Sequence, residues 1–316
     1  MKFSVSLVGF VVLAGVGFAQ VFPPDFPQQE PSIGDNPQSS TALTDGTPQA
    51  TTAVVARESA GFALPTDPAK LEAEFPELAA AGEPAAPAKN DTGVDVGYGS
   101  FKIAGVKGDS WTARVPYSRR LDDRATLEIG VPLTLTTIKQ AVGGDAQIYG
   151  MGVNVGYSYG VVTKLDSKNY RWRLTPNASL TFRNSSDLNM GSAVLGAGLS
   201  SSFAWQIAPR WVFNIGNSLT ATYATSTGGH PDPTRKNQFA VVNGAQLARL
   251  MGRWSLNAFV MDTRFVRDVL VDGYQTYAVG LGYKVTQYRS FRVLGVVENG
   301  AGYRSWNITA ANTWRF

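Results

Sequence analysis

Residues 306–316, WNITAANTWRF, separate with a period of two. Trp306, Ile308, Ala310, Asn312, Trp314 and Phe316 fall on one face, and Asn307, Thr309, Ala311, Thr313 and Arg315 on the other. A helix would mix the two sets, whereas successive side chains of a strand point to opposite sides. The stretch has the length that a tilted β-strand needs to cross a bilayer, roughly 9–11 residues. Its aromatics sit at both ends of the apolar face, where two membrane–water interfaces would lie. Such a strand needs an apolar medium on one side and water on the other. The competing reading is an edge strand of a soluble sandwich.

The same pattern recurs upstream. Tyr170, Trp172, Leu174, Pro176, Ala178, Leu180 and Phe182 alternate with Arg171, Arg173, Thr175, Asn177, Ser179, Thr181 and Arg183. Similar alternation runs through residues 124–138, 146–162 and 210–224. In all, the periodicity predicts twelve strands: 94–105, 110–118, 124–138, 146–162, 169–184, 192–207, 210–224, 237–250, 253–265, 273–286, 290–298 and 304–316. Around Gly97 to Gly99 the alternation slips by one, which suggests a bulge. Phe239 to Leu250 alternates poorly.

Connection lengths give an independent reading. With the first strand running outward, the even-numbered connections RRLDD, VTKLDSK, APR, MGR and QYRS are mostly short. Odd-numbered ones include IKQAVGGDAQ, NSSDLNMGS, ATSTGGHPDPTRKNQ and VRDVLVDGYQ, all longer and rich in Gly and Asp. Short turns at one end and long loops at the other suit a membrane barrel, and a sandwich has no reason to produce them. The seven tryptophans fall near strand ends on the apolar faces, as an aromatic belt requires. The fold class is therefore all-β, a closed antiparallel up-and-down transmembrane barrel of about twelve strands.

Composition agrees. Charged residues make up 16%, low for a soluble domain, yet after the N-terminus no apolar run is long enough for a membrane helix. Cysteine is absent, which excludes disulfides, thiolate metal sites and a thiol nucleophile. Net charge is +4, but it is unevenly divided: residues 20–91 carry −8 and residues 92–316 carry +11. The bases are dispersed among strands and turns and not gathered in a run, so nucleic acid is not an expected partner.

The N-terminal quarter differs in kind. Met1 to Ala19 reads as a signal peptide, with Lys2, an apolar stretch from Val5 to Val16 and a small-x-small site at Gly17-Phe18-Ala19. Residues 20–91 form an acidic Pro/Ala-rich periplasmic segment holding 11 of the 17 prolines, expected to be mostly disordered. One island stands out. Thr66-Asp67-Pro68 looks like a helix cap followed by Pro in the first turn, Leu71, Phe75 and Leu78 would share a face, and Pro76 limits its length. It is either a docking helix or a transient helix in a tether. Residues from about Thr66 to Lys89, with Glu72, Glu74, Glu77 and Glu83, could enter a basic barrel mouth and gate it. Residues 92–316 are the barrel.

No catalytic residue emerges. His230 is the only histidine, in the loop GGHPDPT, and a lone histidine makes neither a strong base site nor a metal site. No serine lies in a nucleophile-elbow context. Neither metal nor other cofactor is expected, and the chain reads as no enzyme. The inward positions are more informative. Face assignment predicts that Arg114, Glu128, Arg171, Arg173, Arg183, Lys284, Arg292, Glu298 and Arg315 line the lumen, a net of +5. Basic lining attracts anions. Alternatively the charges pair across the barrel, with Glu128 between Arg114 and Arg173, and the lumen is filled.

The alternation of residues 94–316, the turn asymmetry and the final TWRF resemble bacterial outer-membrane β-barrels generally. The resemblance implies location in the outer membrane and contact with its lipid. It also implies Trp314 and Phe316 as an assembly signal read by the barrel assembly machinery. Arg171, Arg173 and Arg183 resemble the arginine-lined lumens of small anion-oligosaccharide channels. GLGYKVT (280–286) and the last strand look loosely like autotransporter translocators, although only some 70 low-complexity residues precede the barrel. Two functions follow as expectations. One is a passive channel for small, anionic solutes; the other is a structural or translocator-like barrel with a closed lumen.

Overall fold

The computed structural model describes residues 67–75, 89–103, 105–122, 124–139, 144–165, 168–186, 190–229, 238–266 and 273–316. The signal-peptide stretch Met1–Ala19, most of the acidic segment, Glu77, Glu83 and His230 lie outside them. One short helix, α1 (Pro68–Glu74), precedes twelve strands. They are β1 (Asn90–Ile103), β2 (Val106–Arg120), β3 (Ala125–Lys139), β4 (Ala146–Leu165), β5 (Lys168–Ser185) and β6 (Met190–Ala208). Then come β7 (Trp211–Gly229), β8 (Gln238–Met251), β9 (Trp254–Phe265), β10 (Gly273–Thr286), β11 (Arg289–Gly300) and β12 (Tyr303–Arg315). Each strand pairs antiparallel with its sequence neighbours and β1 pairs with β12, so the sheet closes and leaves no edge. The expected fold class is met. Twelve strands about 4.8 Å apart and tilted about 40° trace a backbone cylinder roughly 24 Å across.

The barrel is apolar outside and polar within. Val96, Trp111, Met151, Phe182, Leu195, Val279 and Ile308 are exposed, while Thr136, Ser200, Asn214, Ser255 and Asn257 are fully buried. A soluble domain arranges its side chains the other way. Three prolines lie inside strands, and each interrupts one ladder because it has no N–H to donate. Pairing skips Pro116 between β1 and β2, Pro132 between β3 and β4, and Pro176 between β4 and β5.

The end at which β1 begins and β12 finishes is the proximal end. Connections there span only residues 121–124, 166–167, 209–210, 252–253 and 287–288. Distal connections reach from 230 to 237 and from 266 to 272, with two-residue turns only beside the β1–β12 seam. Gly252 and Gly302, in two of the tightest turns, have φ of 63° and 72°, values that favour glycine. Aromatics gather at two heights. Near the distal end Tyr98 packs at a tilt against Trp111 at 4.7 Å and meets Trp306 edge-on at 5.6 Å. Near the proximal end Trp205 meets Phe213 at 5.0 Å and Trp254 meets Tyr283 at 4.5 Å. Trp306 and Trp314 mark the two heights on β12. Eight residues of tilted strand separate them by about 20 Å, near the height of a barrel's apolar band.

One local expectation is corrected and one irregularity explained. β1 has no bulge at Gly97 to Gly99: it keeps register with β12 without a shift from Asp91 to Ile103. The apparent slip arises because Phe101 and Ile103 point inward, where Ile103 packs with Tyr274 and Tyr303 in a buried distal cluster. Gly99 fits because a Cβ there would meet the Trp306 carbonyl oxygen at 2.4 Å. β8 alternates poorly for the same kind of reason, since Ala248 and Leu250 on its inward face are buried against an apolar partner.

Candidate functional site

That partner is α1, lodged in the proximal mouth. Asp67 caps the helix, accepting from the Ala69 N–H at 2.9 Å and the Lys70 N–H at 3.3 Å. Pro68 occupies the first turn, where its missing N–H costs nothing. Phe75 ends the helix just before Pro76, which cannot continue it. An isolated helix of seven residues is unstable in water, so α1 owes its form to the barrel around it.

Its polar contacts lie on one arc of the wall, β10, β11, β12 and β1. Lys284 Nζ donates to both Glu72 oxygens, at 2.9 and 2.7 Å. Ser290 Oγ donates to Asp67 Oδ2. Arg315 reaches Asp67 at 3.0 Å and Asp91 at 3.2 Å, and Lys70 approaches Asp91 at 3.5 Å, which links four charges in a chain. Apolar contacts lie on the opposite arc. Leu71 and Phe75, both fully buried, cluster with Ala204 of β6, Val212 of β7, and Ala248 and Leu250 of β8. The Arg171 guanidinium of β5 stands 4.2 Å over the Phe75 ring. Burial alone would raise the Asp67 carboxyl, but Arg315, Lys70, the Ser290 hydroxyl and the Ala69 N–H together hold it below the usual carboxylate range.

Deeper in the lumen a second level centres on Asp95. Asp95 lies cross-strand from Arg114 of β2 and from Ala311 of β12, and Ala311 pairs on its other side with Arg292. Across the small Ala311, Arg292 Nη2 donates to Asp95 Oδ2 at 3.1 Å. Gly130 leaves room for Arg114, since a Cβ there would come within 2.7 Å of Nε. Glu128 and Arg292 both lie within electrostatic reach of Arg114. A third level is distal: Glu298, 1% exposed, accepts from the Tyr303 and Ser305 hydroxyls at 2.5 Å each and from Thr276 at 3.4 Å.

The nine charged positions assigned inward thus fall at different heights. Arg171, Lys284 and Arg315 hold the helix, Arg114 and Arg292 flank Asp95, and Glu128 lies within electrostatic reach of Arg114. Glu298 is sealed into the distal wall. Arg173 shares the inward face of β5 with Arg171, and Arg183, 4% exposed, lies at its distal end. Sequence reasoning missed two acids of the lumen, Asp91 and Asp95, and read Asp67 only as a helix cap. Asp91 and Asp95 have the parity of Gly93, Gly97 and Gly99, opposite Val94 and Val96, and that parity could have found them. They lower the net positive charge expected of the lumen. Trp314 and Phe316 point outward, and the Asn90 and Phe316 backbones bond reciprocally at 3.0 Å across the seam.

No family model matches the chain, and no curated protein sequence matches it. Solved structures do. The translocator domain of the autotransporter NalP from Neisseria meningitidis superposes with a TM-score of 0.52 at 11% identity, covering 84% of this chain and 97% of that one. An outer membrane channel from Pseudomonas putida F1 gives 0.53 at 14% identity, covering 75% and 99%. The transport unit of the autotransporter AIDA-I from Escherichia coli gives 0.51 at 10%, covering 78% and 95%. At these identities the likeness concerns architecture alone: the chain has the fold of a twelve-stranded outer-membrane β-barrel.

Proposed function

We propose that the protein is an outer-membrane channel for small anionic solutes, held shut at its proximal, periplasmic mouth by its own α1 helix. The observation that carries this reading is the bridging position of α1, with carboxylates on one arc of the wall and apolar side chains on the other. A helix anchored to opposite walls obstructs the lumen, and its contacts can break without breaking any strand ladder. With α1 displaced, Arg171, Lys284 and Arg315 are released from the helix and present cations to the mouth. Arg173, Arg114 and Arg183 continue the basic lining, the arrangement that favours anions in a narrow pore. The short proximal turns support the orientation. The role is transport and not catalysis, with Trp314 of β12 and the adjoining Phe316 serving assembly into the membrane.

Planar-bilayer recording of the intact chain and of a variant lacking residues 20–75 tests the proposal. The intact protein should be mostly closed, and the variant should open steadily with anion preference. A deleted variant that stays silent supports the other reading, a structural or translocator-like barrel whose lumen carries no solute. Cation preference in the open variant removes the anion assignment.

A further inference from the structure

Outside the barrel, at the distal rim, four cations stand side by side on four consecutive strands. Arg304 of β12 lies cross-strand from Lys102 of β1, Lys102 from Lys107 of β2, and Lys107 from Lys139 of β3. All four are exposed, and each alternates with buried inward neighbours such as Ile103, Tyr303, Gly108 and Ile138. Strands about 4.8 Å apart make the row roughly 15 Å long. Like charges directly opposite one another destabilise a sheet, and this row sets three such oppositions in succession. Asp109 relieves only its end, meeting Lys139 at 2.7 Å. Among the described residues no carboxylate lies within 4 Å of Lys102, Lys107 or Arg304.

The surroundings indicate what balances this charge. Two outward positions below Lys102 on β1 is Tyr98, packed between Trp111 and Trp306. The cations therefore stand about 10 Å beyond the distal aromatic belt, at headgroup depth. Around the rim the same rung continues as Asn299, Gln275 and Asp262, and Asp262 is already paired with Arg264 at 2.9 Å. The excess charge is confined to one arc. We propose that Lys102, Lys107 and Arg304 form a binding site for a lipid headgroup carrying more than one phosphate in the outward leaflet. Guanidinium and ammonium groups suit phosphate oxygens, and a row of this length spans two phosphates of one headgroup. This inference rests on the membrane-spanning orientation proposed above.

Binding is measured on the intact protein in neutral detergent by native mass spectrometry, with diphosphoryl lipid A, its dephosphorylated form and inorganic phosphate as probes. The wild type should retain the diphosphoryl lipid and not the dephosphorylated one. Neutralising Lys102, Lys107 and Arg304 together to Gln should weaken retention by roughly fivefold per cation, about 100-fold in all. Lys102→Gln alone gives a second readout that does not depend on the triple variant folding. Without phospholipid it should raise the barrel's melting temperature by relieving repulsion, and with the diphosphoryl lipid it should reduce the rise that the wild type shows. Equal lipid retention by wild type and triple variant overturns the proposal. So does displacement of the lipid by equimolar inorganic phosphate, or a Lys102→Gln melting temperature that matches the wild type under both conditions. Bilayer conductance plays no part in these measurements, so failure of the channel reading would appear separately.

Discussion

Replacing Phe75 by alanine removes a fully buried ring from the cluster of Leu71, Ala204, Val212, Ala248 and Leu250. It also removes the surface over which Arg171 stands at 4.2 Å. Phe→Ala in a packed core costs about 3–5 kcal/mol, and a mouth that can refill with water belongs at the lower end. No strand ladder includes α1, so the loss falls on helix docking and leaves barrel stability nearly unchanged. At about 1.4 kcal/mol per tenfold, 3 kcal/mol raises the undocked population roughly 150-fold. The chain has no cysteine, so Ala69→Cys, at a position 4% exposed, supplies a single thiol on the docked helix. When docking is faster than labelling, the maleimide rate follows the undocked fraction. Phe75→Ala should accelerate labelling roughly 150-fold, or up to the rate of a free thiol, and Phe75→Leu should restore most of the protection. An acceleration below about threefold, with the barrel intact by heat-modifiability, would falsify the claim that this ring holds the helix.

Two further predictions concern buried carboxyls. The docked environment holds the Asp67 carboxyl below its usual value of 3.8, so its contribution to docking is complete above that value and is lost as pH falls through the lower, docked value. Bilayer conductance should therefore stay low from pH 7 to about 5 and rise below about 4, whereas Asp67→Asn should conduct at neutral pH without that step. Glu298→Ala leaves the Tyr303 and Ser305 hydroxyls without their acceptor, at about 1–3 kcal/mol for each buried group. The temperature at which the SDS-resistant folded form disappears should fall clearly, and Glu298→Gln, which keeps an acceptor, should fall less.

The barrel was legible because lipid and water impose different demands on alternate residues. β5 and β12 carry that signal without interruption, and the predicted strands match the observed ones to within a few residues. Legibility failed where the inward face is not polar. Phe101 and Ile103 on β1, and Ala248 and Leu250 on β8, face apolar partners inside the lumen, so two apolar faces erase the period. Those interruptions were themselves a record of lumen contents. Cap chemistry made α1 readable, from Asp67-Pro68 at its start to Pro76 at its end. Its seat was not, because an isolated pattern of Leu71 and Phe75 does not say which wall receives them. The distal cation row was hidden for another reason: Lys102, Lys107, Lys139 and Arg304 are scattered in sequence, and only strand register brings them together.

The tether between helix and barrel sets how firmly the mouth can close. Residues 76–88 join Phe75 to Lys89, and a flexible chain of 13 residues would span about 20 Å. That length is comparable with the roughly 24 Å mouth, so the helix is held there at an effective concentration on the order of millimolar. Docking then needs an intrinsic affinity of only about 4 kcal/mol. The ion pairs of Glu72 with Lys284 and of Asp67 with Arg315 supplement the buried contacts of Leu71 and Phe75 in holding the helix. If the tether only retains the helix, doubling it with a Gly/Ser insert after Gly82 should cost about 0.6 kcal/mol, or threefold in the labelling rate of Ala69→Cys. Lys284→Glu, which sets two carboxylates face to face, should accelerate labelling far more. A tenfold or greater effect of the insert, or a larger one than Lys284→Glu, means that residues 76–88 position the helix and that the wall contacts are secondary.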